Sequence, residues 1–204
     1  MKVTCTMNTK EIEISNNAKV CYASKGERNI IPALMARGHK STLRFAFATF
    51  NILDISIPCH VQMLRSKHLD FLVQSKRYCN IAKGDFKFIY PPNLTVTQRE
   101  LMKIHWDKSI KLYSSLIDDG VHKEDARSVL PANCSTELNV TSNLQGWSDF
   151  QKLRISKNAQ SEVREVAIRI AKELSKKFPL IFNDDELFDG VSLRDWYSSL
   201  DIKR

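Results

Sequence analysis

Apolar residues recur along this chain with two periods, and each change of period marks a new element. KVTCTM (2–7) alternates weakly as a strand, and AKVCYAS (18–24) reads as a second short strand. NIIPALMARG (29–38) has helical spacing and stops at Gly38. In LRFAFATFNILDIS (43–56) the aromatics Phe45, Phe47 and Phe50 suit a half-buried strand. IPCHVQMLRSK (57–67) then begins a helix with Pro58 in its first turn, and puts Gln62 and Arg65 on one face. A loop with Gly84, Pro91 and Pro92 leads into a long helix (95–120), with Thr97 and Glu100 in capping-box spacing and Gly120 at its end. KEDARSVL (123–130) reads as a short helix stopped before Pro131, CSTELNVTSN (134–143) as turn or irregular strand, and 143–154 as helix. From Ala159 onward Val163, Val166, Ala167, Ile170 and Leu174 trace one helical face, opposed by Glu162, Glu165, Arg169, Lys172 and Lys176.

The pattern predicts a mixed α and β chain, and 204 residues with 43% hydrophobic composition sustain one sizeable core. Residues 1–180 read as one domain. Residues 181–204 form a C-terminal tail, FNDDELFDGVSLRDWYSSLDIKR from 182, with the pattern of a docking segment or a loose end. The net charge of +8 is uneven, because residues 1–90 hold 14 Lys/Arg against 6 Asp/Glu whereas 91–204 hold 17 against 17. Such a bias suits anionic partners and does not say which.

Several chemistries lack their residues. The six glycines form neither G-x-G-x-x-G nor a P-loop, so side chains must hold any phosphate. The five histidines have no H-x-H or H-E-x-x-H spacing and the five cysteines no C-x-x-C pair, which leaves no metal site expected and no disulfide framework. There is no G-x-S-x-G nucleophile motif. Scattered thiols, no apolar signal core and no run of about 20 apolar residues predict a soluble, unprocessed, cytoplasmic protein without membrane contact.

The chemistry concentrates in MLRSKHLDFLVQSKRY (63–78). It has no recognisable nucleic-acid module, so a nucleic-acid partner is not expected. In QSKRY an extended chain would present Ser75 and Arg77 together, with Lys76 and Tyr78 on the other side. A hydroxyl beside a guanidinium is a phosphate clasp, one donor plus a bidentate fork.

Gln62, Arg65, Ser75, Arg77 and Tyr78 resemble the signature region of flavin-dependent thymidylate synthases, which runs R-H-R, seven residues, S, then x-R-Y. GHKS (38–41), ARSVLP (126–131), Asn143, Leu153-Arg154 and AQSEVR (159–164) follow in that family's order. The resemblance covers about residues 15–175. It implies an α/β subunit of the α+β type, with a twisted, mainly antiparallel sheet flanked by helices, in a homotetramer whose active sites lie between subunits. It also implies FAD as cofactor, with NADPH and methylenetetrahydrofolate as co-substrates, and methylation of dUMP at C5. By that resemblance Gln62, Arg65, Ser75, Lys76, Arg77, Arg127 and Arg154 hold the nucleotide, and Arg154 is catalytic, set against the uracil N3 and O2 edge. His39, Ser41, Arg65, Ser66, Lys67, Asn143, Gln145 and Asp149 fall at flavin-side positions.

The departures gather on that flavin side. Arg65-Ser66-Lys67 stands where the family has R-H-R, Asp70 replaces a serine, and Val73 a glutamate or glutamine. Gln145 replaces an arginine, Asp149 an asparagine, and Arg44-Phe45 a Glu-His pair. Weak FAD binding is therefore expected. Two other functions share the pattern: C5 hydroxymethylation or methylation of dUMP or dCMP, and non-enzymatic binding of a nucleotide or nucleic acid.

Overall fold

Four strands, β1 (Lys2–Asn8), β2 (Phe47–Ser56), β3 (Asp70–Val73) and β4 (Ser135–Asn143), form an antiparallel sheet in the order β1-β2-β4-β3. The computed structural model describes residues 1–23, 25–84 and 86–201. Helices α1 (Glu11–Lys19) and α2 (Ile31–Ala36) lie between β1 and β2, with a 3-10 turn, Lys40–Phe45, leading into β2. Helix α3 (Ile57–Leu64) follows β2 directly. The long α4 (Val96–Asp118), the short α5 (Lys123–Ala126) and a 3-10 turn, Arg127–Val129, precede β4, from which α6 (Leu144–Arg154) and α7 (Ser161–Lys177) continue. A small hairpin, β5 (Leu187–Phe188) and β6 (Val191–Ser192), leads to α8 (Leu193–Asp201).

The core lies between the sheet, α6 and α7. Ala48, Phe50 and Ile52 alternate inward from β2, and Val163, Val166, Ala167, Ile170 and Leu174 are all buried, as the helical period predicts. Full burial of each larger apolar side chain is worth about 1.5–3 kcal/mol, which fixes α7 on the sheet. Trp147 meets Phe50 edge-on at 5.1 Å and donates its indole N–H to the Ala48 carbonyl, so the largest core residue carries no orphan donor. Tyr113, Ala126, Cys134 and Ile81 form a smaller cluster beneath α4. No helix among the described residues is long and apolar enough to cross a membrane.

Five local expectations are corrected. Residues 18–22 are the end of α1 and a 3-10 turn rather than a strand, because Ile14 and Ala18, four apart, bury together as a helical pair. Residues 135–143 form the regular inner strand β4: Thr136, Leu138, Val140 and Ser142 point inward, and the polar members of that set hid the two-residue period. The capping box of α4 is Thr95 with Gln98, two residues earlier than expected. QSKRY is a turn, with the Tyr78 and Cys79 N–H groups donating to the Ser75 carbonyl, so strand alternation does not apply there. Nor is the tail a loose end, since Phe182, Phe188 and Leu193 join the main core; its last three residues, 202–204, lie outside the described residues.

Candidate active site

Helix α3 organises the site. Ser56 is its N-cap, and the Ser56 N–H and hydroxyl both donate to Glu162, at 2.7 and 2.5 Å, tying the start of α3 to the first turn of α7. From the other end of α3, Gln62 meets the last residue of α6. Arg154 donates through Nη2 to the Gln62 carbonyl at 2.6 Å and through Nη1 to Gln62 Oε1 at 3.4 Å. The Arg154 side chain is buried, at 8% exposure, and its Nε has no partner among the described residues. Burial lowers its pKa, and the Arg65 guanidinium nearby pushes the same way. A second positive charge near a buried guanidinium is a setting that favours a bound anion.

A second group surrounds the 75–79 turn. The Arg77 Nε donates to Glu124 Oε2 at 2.8 Å, and the Arg127 Nε donates to the Glu124 carbonyl at 3.0 Å. Their terminal nitrogens make no further bond among the described residues, so one residue of α5 holds two guanidinium forks by their stems. Lys123 ties the turn to α5 by donating to the Tyr78 carbonyl at 3.0 Å. Ser75 accepts from the Arg77 N–H through its hydroxyl oxygen, which keeps the O–H available as a donor. Lys76 behaves differently: its ammonium turns inward to the Ser135 carbonyl at 3.0 Å and lies over the Phe86 ring. Burial lowers the Lys76 pKa and Arg127 adds to the effect.

These two groups lie on different sides of α3. Gln62 faces Arg154, whereas His60, two residues and about 200° earlier on the helix, faces Phe71 at 5.9 Å and feels Lys76. No hydrogen bond among the described residues joins the two sets. A cleft of about 540 Å³ between Asp54, Gln74, Phe86 and Lys87 contains none of the predicted site residues.

A third group sits at the start of α6. Asn143 is its N-cap, accepting from the Gly146 N–H at 2.8 Å. Gly146 packs so closely on the Ser142 hydroxyl and the His68 Cβ that a Cβ of its own would collide with both, which brings the 65–68 loop against α6. The Ser66 hydroxyl is buried there without a partner among the described residues, and Arg65 and Lys67 on either side are exposed. Gln145 is bonded to Asp149 at 3.0 Å, so each occupies the other's polar group. Ser41 lies in the 3-10 turn that packs on α6 and His39 just before it, with His39 Nδ1 3.0 Å from the Tyr22 hydroxyl.

Glu124, Glu162 and Tyr22 were not singled out from sequence. Glu124 had a signal, lying three residues before Arg127 on a helical segment; Glu162 and Tyr22 act only through tertiary contacts. Burial pushes the thiols of Cys59 and Cys134 up, for Cys59 with help from Glu162 and Glu165, so neither is an activated nucleophile. No group of three His, Cys, Asp or Glu among the described residues could hold a metal ion.

The family model for thymidylate synthase complementing protein matches residues 2–180. The chain is 30% identical over 200 residues to the flavin-dependent thymidylate synthase of Geobacter sulfurreducens, covering 90% of this chain and 86% of that one. It is 35% identical over 153 residues to the flavin-dependent thymidylate synthase of Pyrococcus furiosus, covering 72% of this chain and 62% of the other. To that of Sulfurisphaera tokodaii it is 31% identical over 145 residues, 71% of this chain and 56% of the other.

Proposed function

The chain belongs to the flavin-dependent thymidylate synthase family, and we propose that it makes dTMP by reductive methylation of dUMP, with methylenetetrahydrofolate as carbon donor and NADPH as reductant. The observation that carries this reading is the buried Arg154 guanidinium, anchored on Gln62 and crowded by Arg65. Reaction at C5 of a uracil requires electron density in the ring, and a fixed cation at the N3 and O2 edge stabilises that charge with little reorganisation. Arginine keeps its proton at neutral pH even when burial lowers its pKa. Gln62 orients the guanidinium, and Arg65 adds a second positive charge.

The phosphate falls to Ser75, Arg77 and Arg127, whose free donors surround the 75–79 turn. Lys76 contributes by holding that turn from beneath, its ammonium being committed to Ser135. Because the base-side and phosphate-side sets lie on different sides of α3, one nucleotide takes Gln62, Arg65 and Arg154 from one subunit and Ser75, Arg77 and Arg127 from another. A homotetramer supplies that arrangement.

The residues near the start of α6 fit a flavin. The unpartnered Ser66 hydroxyl and the exposed Arg65 and Lys67 suit its phosphates, while Asn143 caps α6 and the turn carrying Ser41, with His39 before it, packs on the same helix. Bound there, FAD supplies the reducing chemistry of the methylation. Gln145 and Asp149 satisfy each other instead, which weakens the grip.

The test supplies purified full-length protein with dUMP, methylenetetrahydrofolate, NADPH and FAD, and identifies the product by mass spectrometry. A product 14 Da heavier than dUMP, with NADPH consumed, is expected from replacing one ring hydrogen by methyl, about one CH₂ in mass. A hydroxymethylated product, modification of dCMP alone, or dUMP binding without turnover would overturn the reading.

A further inference from the structure

The hairpin and α8 lie beyond the 2–180 family match, yet they dock on the loop that follows Arg154. Residues 155–160 are the whole connection between α6 and α7. Arg164 gathers that connection by donating to the Ser156 carbonyl at 3.0 Å, the Ala159 carbonyl at 2.7 Å and the Lys157 carbonyl. The C-terminal segment reaches that loop once through Arg164 and once directly. The Trp196 ring of α8 lies 5.6 Å from the Arg164 guanidinium carbon, face-on as a cation–π pair requires. Asp189, at the hairpin tip, accepts from the Lys157 N–H. The tip is an Asp-Gly pair with both φ positive, 52° and 76°, the conformation a two-residue hairpin turn favours.

The segment itself is firmly seated. Phe182, Phe188 and Leu193 are buried in the main core, and the Tyr197 hydroxyl donates to Asp184 at 3.1 Å while its ring carries Lys172 at 5.3 Å. What it supports is the end of α6, whose last residue, Arg154, is anchored through its guanidinium on the Gln62 carbonyl. Arg154 ends α6, where the last carbonyls lack helical partners and the turn tends to fray. A catalytic guanidinium there needs support from outside its own helix, because displacement by about 1 Å is enough to cost about 10² in rate.

We infer that the C-terminal hairpin and α8 form an intramolecular brace that sets the position of Arg154, with Asp189 and Trp196 as its positioning residues. The force runs from Trp196 to Arg164, from Arg164 and Asp189 to residues 156–159, and along two residues of backbone to Arg154. The carboxylate of Asp189 is held low, first by the Lys157 N–H and then by the Ser156 hydroxyl, so it is an anionic acceptor at neutral pH. The inference rests on the role given to Arg154 above.

The test uses full-length protein carrying Asp189→Ala or Trp196→Leu, with Asp189→Asn and Trp196→Phe as conservative counterparts, and reads dUMP affinity by calorimetry beside the melting temperature. Asp189→Ala and Trp196→Leu are expected to weaken dUMP binding about tenfold, whereas Asn retains an acceptor and Phe a ring face, and both stay near wild type. In an Arg154→Ala background Asp189→Ala adds no further loss, because its effect passes through that guanidinium. Unchanged dUMP affinity in Asp189→Ala, or a full additional loss in the Arg154→Ala background, overturns the brace and leaves the role of Arg154 standing. Asp189 is exposed, so this arm remains readable even if Trp196→Leu fails to fold. If Arg154→Ala binds dUMP as tightly as wild type, the role of Arg154 fails and the brace with it.

Discussion

Arg154 and Gln62 are joined at 2.6 Å by a bond to the main-chain carbonyl of Gln62, so the position of the guanidinium depends on the backbone of α3. Replacing Gln62 therefore cannot remove the anchor, whereas replacing Arg154 removes the charge. Arg154→Ala should reduce dTMP formation by about 10²–10³. Arg154→Lys should restore little, because an ammonium cannot span the Gln62 carbonyl and a ligand edge together. Turnover in a steady-state dTMP assay, with circular dichroism confirming the fold, checks both variants.

Glu124 holds Arg77 by its side chain and Arg127 by its carbonyl. Glu124→Gln should weaken dUMP binding about tenfold as Arg77 loses a charge-assisted bond. The melting temperature should hardly move, since an exposed ion pair contributes about 0–1 kcal/mol. Calorimetric titration and a thermal melt on the same sample separate the two effects.

If the base-side and phosphate-side sets come from different subunits, two inactive variants can complement each other. Arg154→Ala and Arg77→Ala chains, inactive alone, should regain part of the wild-type rate when coexpressed and purified as mixed assemblies. Light scattering should give four chains for the wild type. A monomer, or mixed assemblies with no activity, would exclude a shared site.

Gly146→Ala should destabilise the protein by about 1–3 kcal/mol, because the new methyl collides with the Ser142 hydroxyl and the His68 Cβ. The 65–68 loop would shift away from α6, so FAD affinity should fall with stability. Absorbance titration of FAD and a denaturant melt measure the two losses.

Burial, and then Lys76, lower the pKa of His60 below its usual value near 6.5. The unfolded chain then takes up this proton at a higher pH than the folded one. Stability attributable to His60 is present above about pH 6.5 and declines as pH falls from there toward the folded pKa. His60→Phe should flatten that decline, as read by melting temperatures across pH 5 to 8.

Gln62, Arg65, Ser75 and Arg77 stand out in the sequence because they sit at fixed short spacings, and spacing survives folding. The period of α7 was legible for a related reason: one apolar face against water is a property of the chain alone. Strand β4 was not, since Thr136 and Ser142 become inward residues only when neighbouring strands cover them. The turn at Ser75 was missed because its backbone bonds outweigh the extended preference of the segment.

The sequence by itself determined the residue types that carry the chemistry, the amphipathic helix that closes the core, and the order of the segments, all of them local properties of composition and period. Only the tertiary structure decided that Lys76 points inward, that Glu124 holds two arginines, that Arg154 bonds the Gln62 carbonyl, and that Asp189 reaches the loop behind Arg154 while Trp196 covers the Arg164 that gathers it. The physical reason is distance along the chain. Those relationships join groups tens of residues apart, and which of several available partners each polar group takes is set by the competing burial of everything between them.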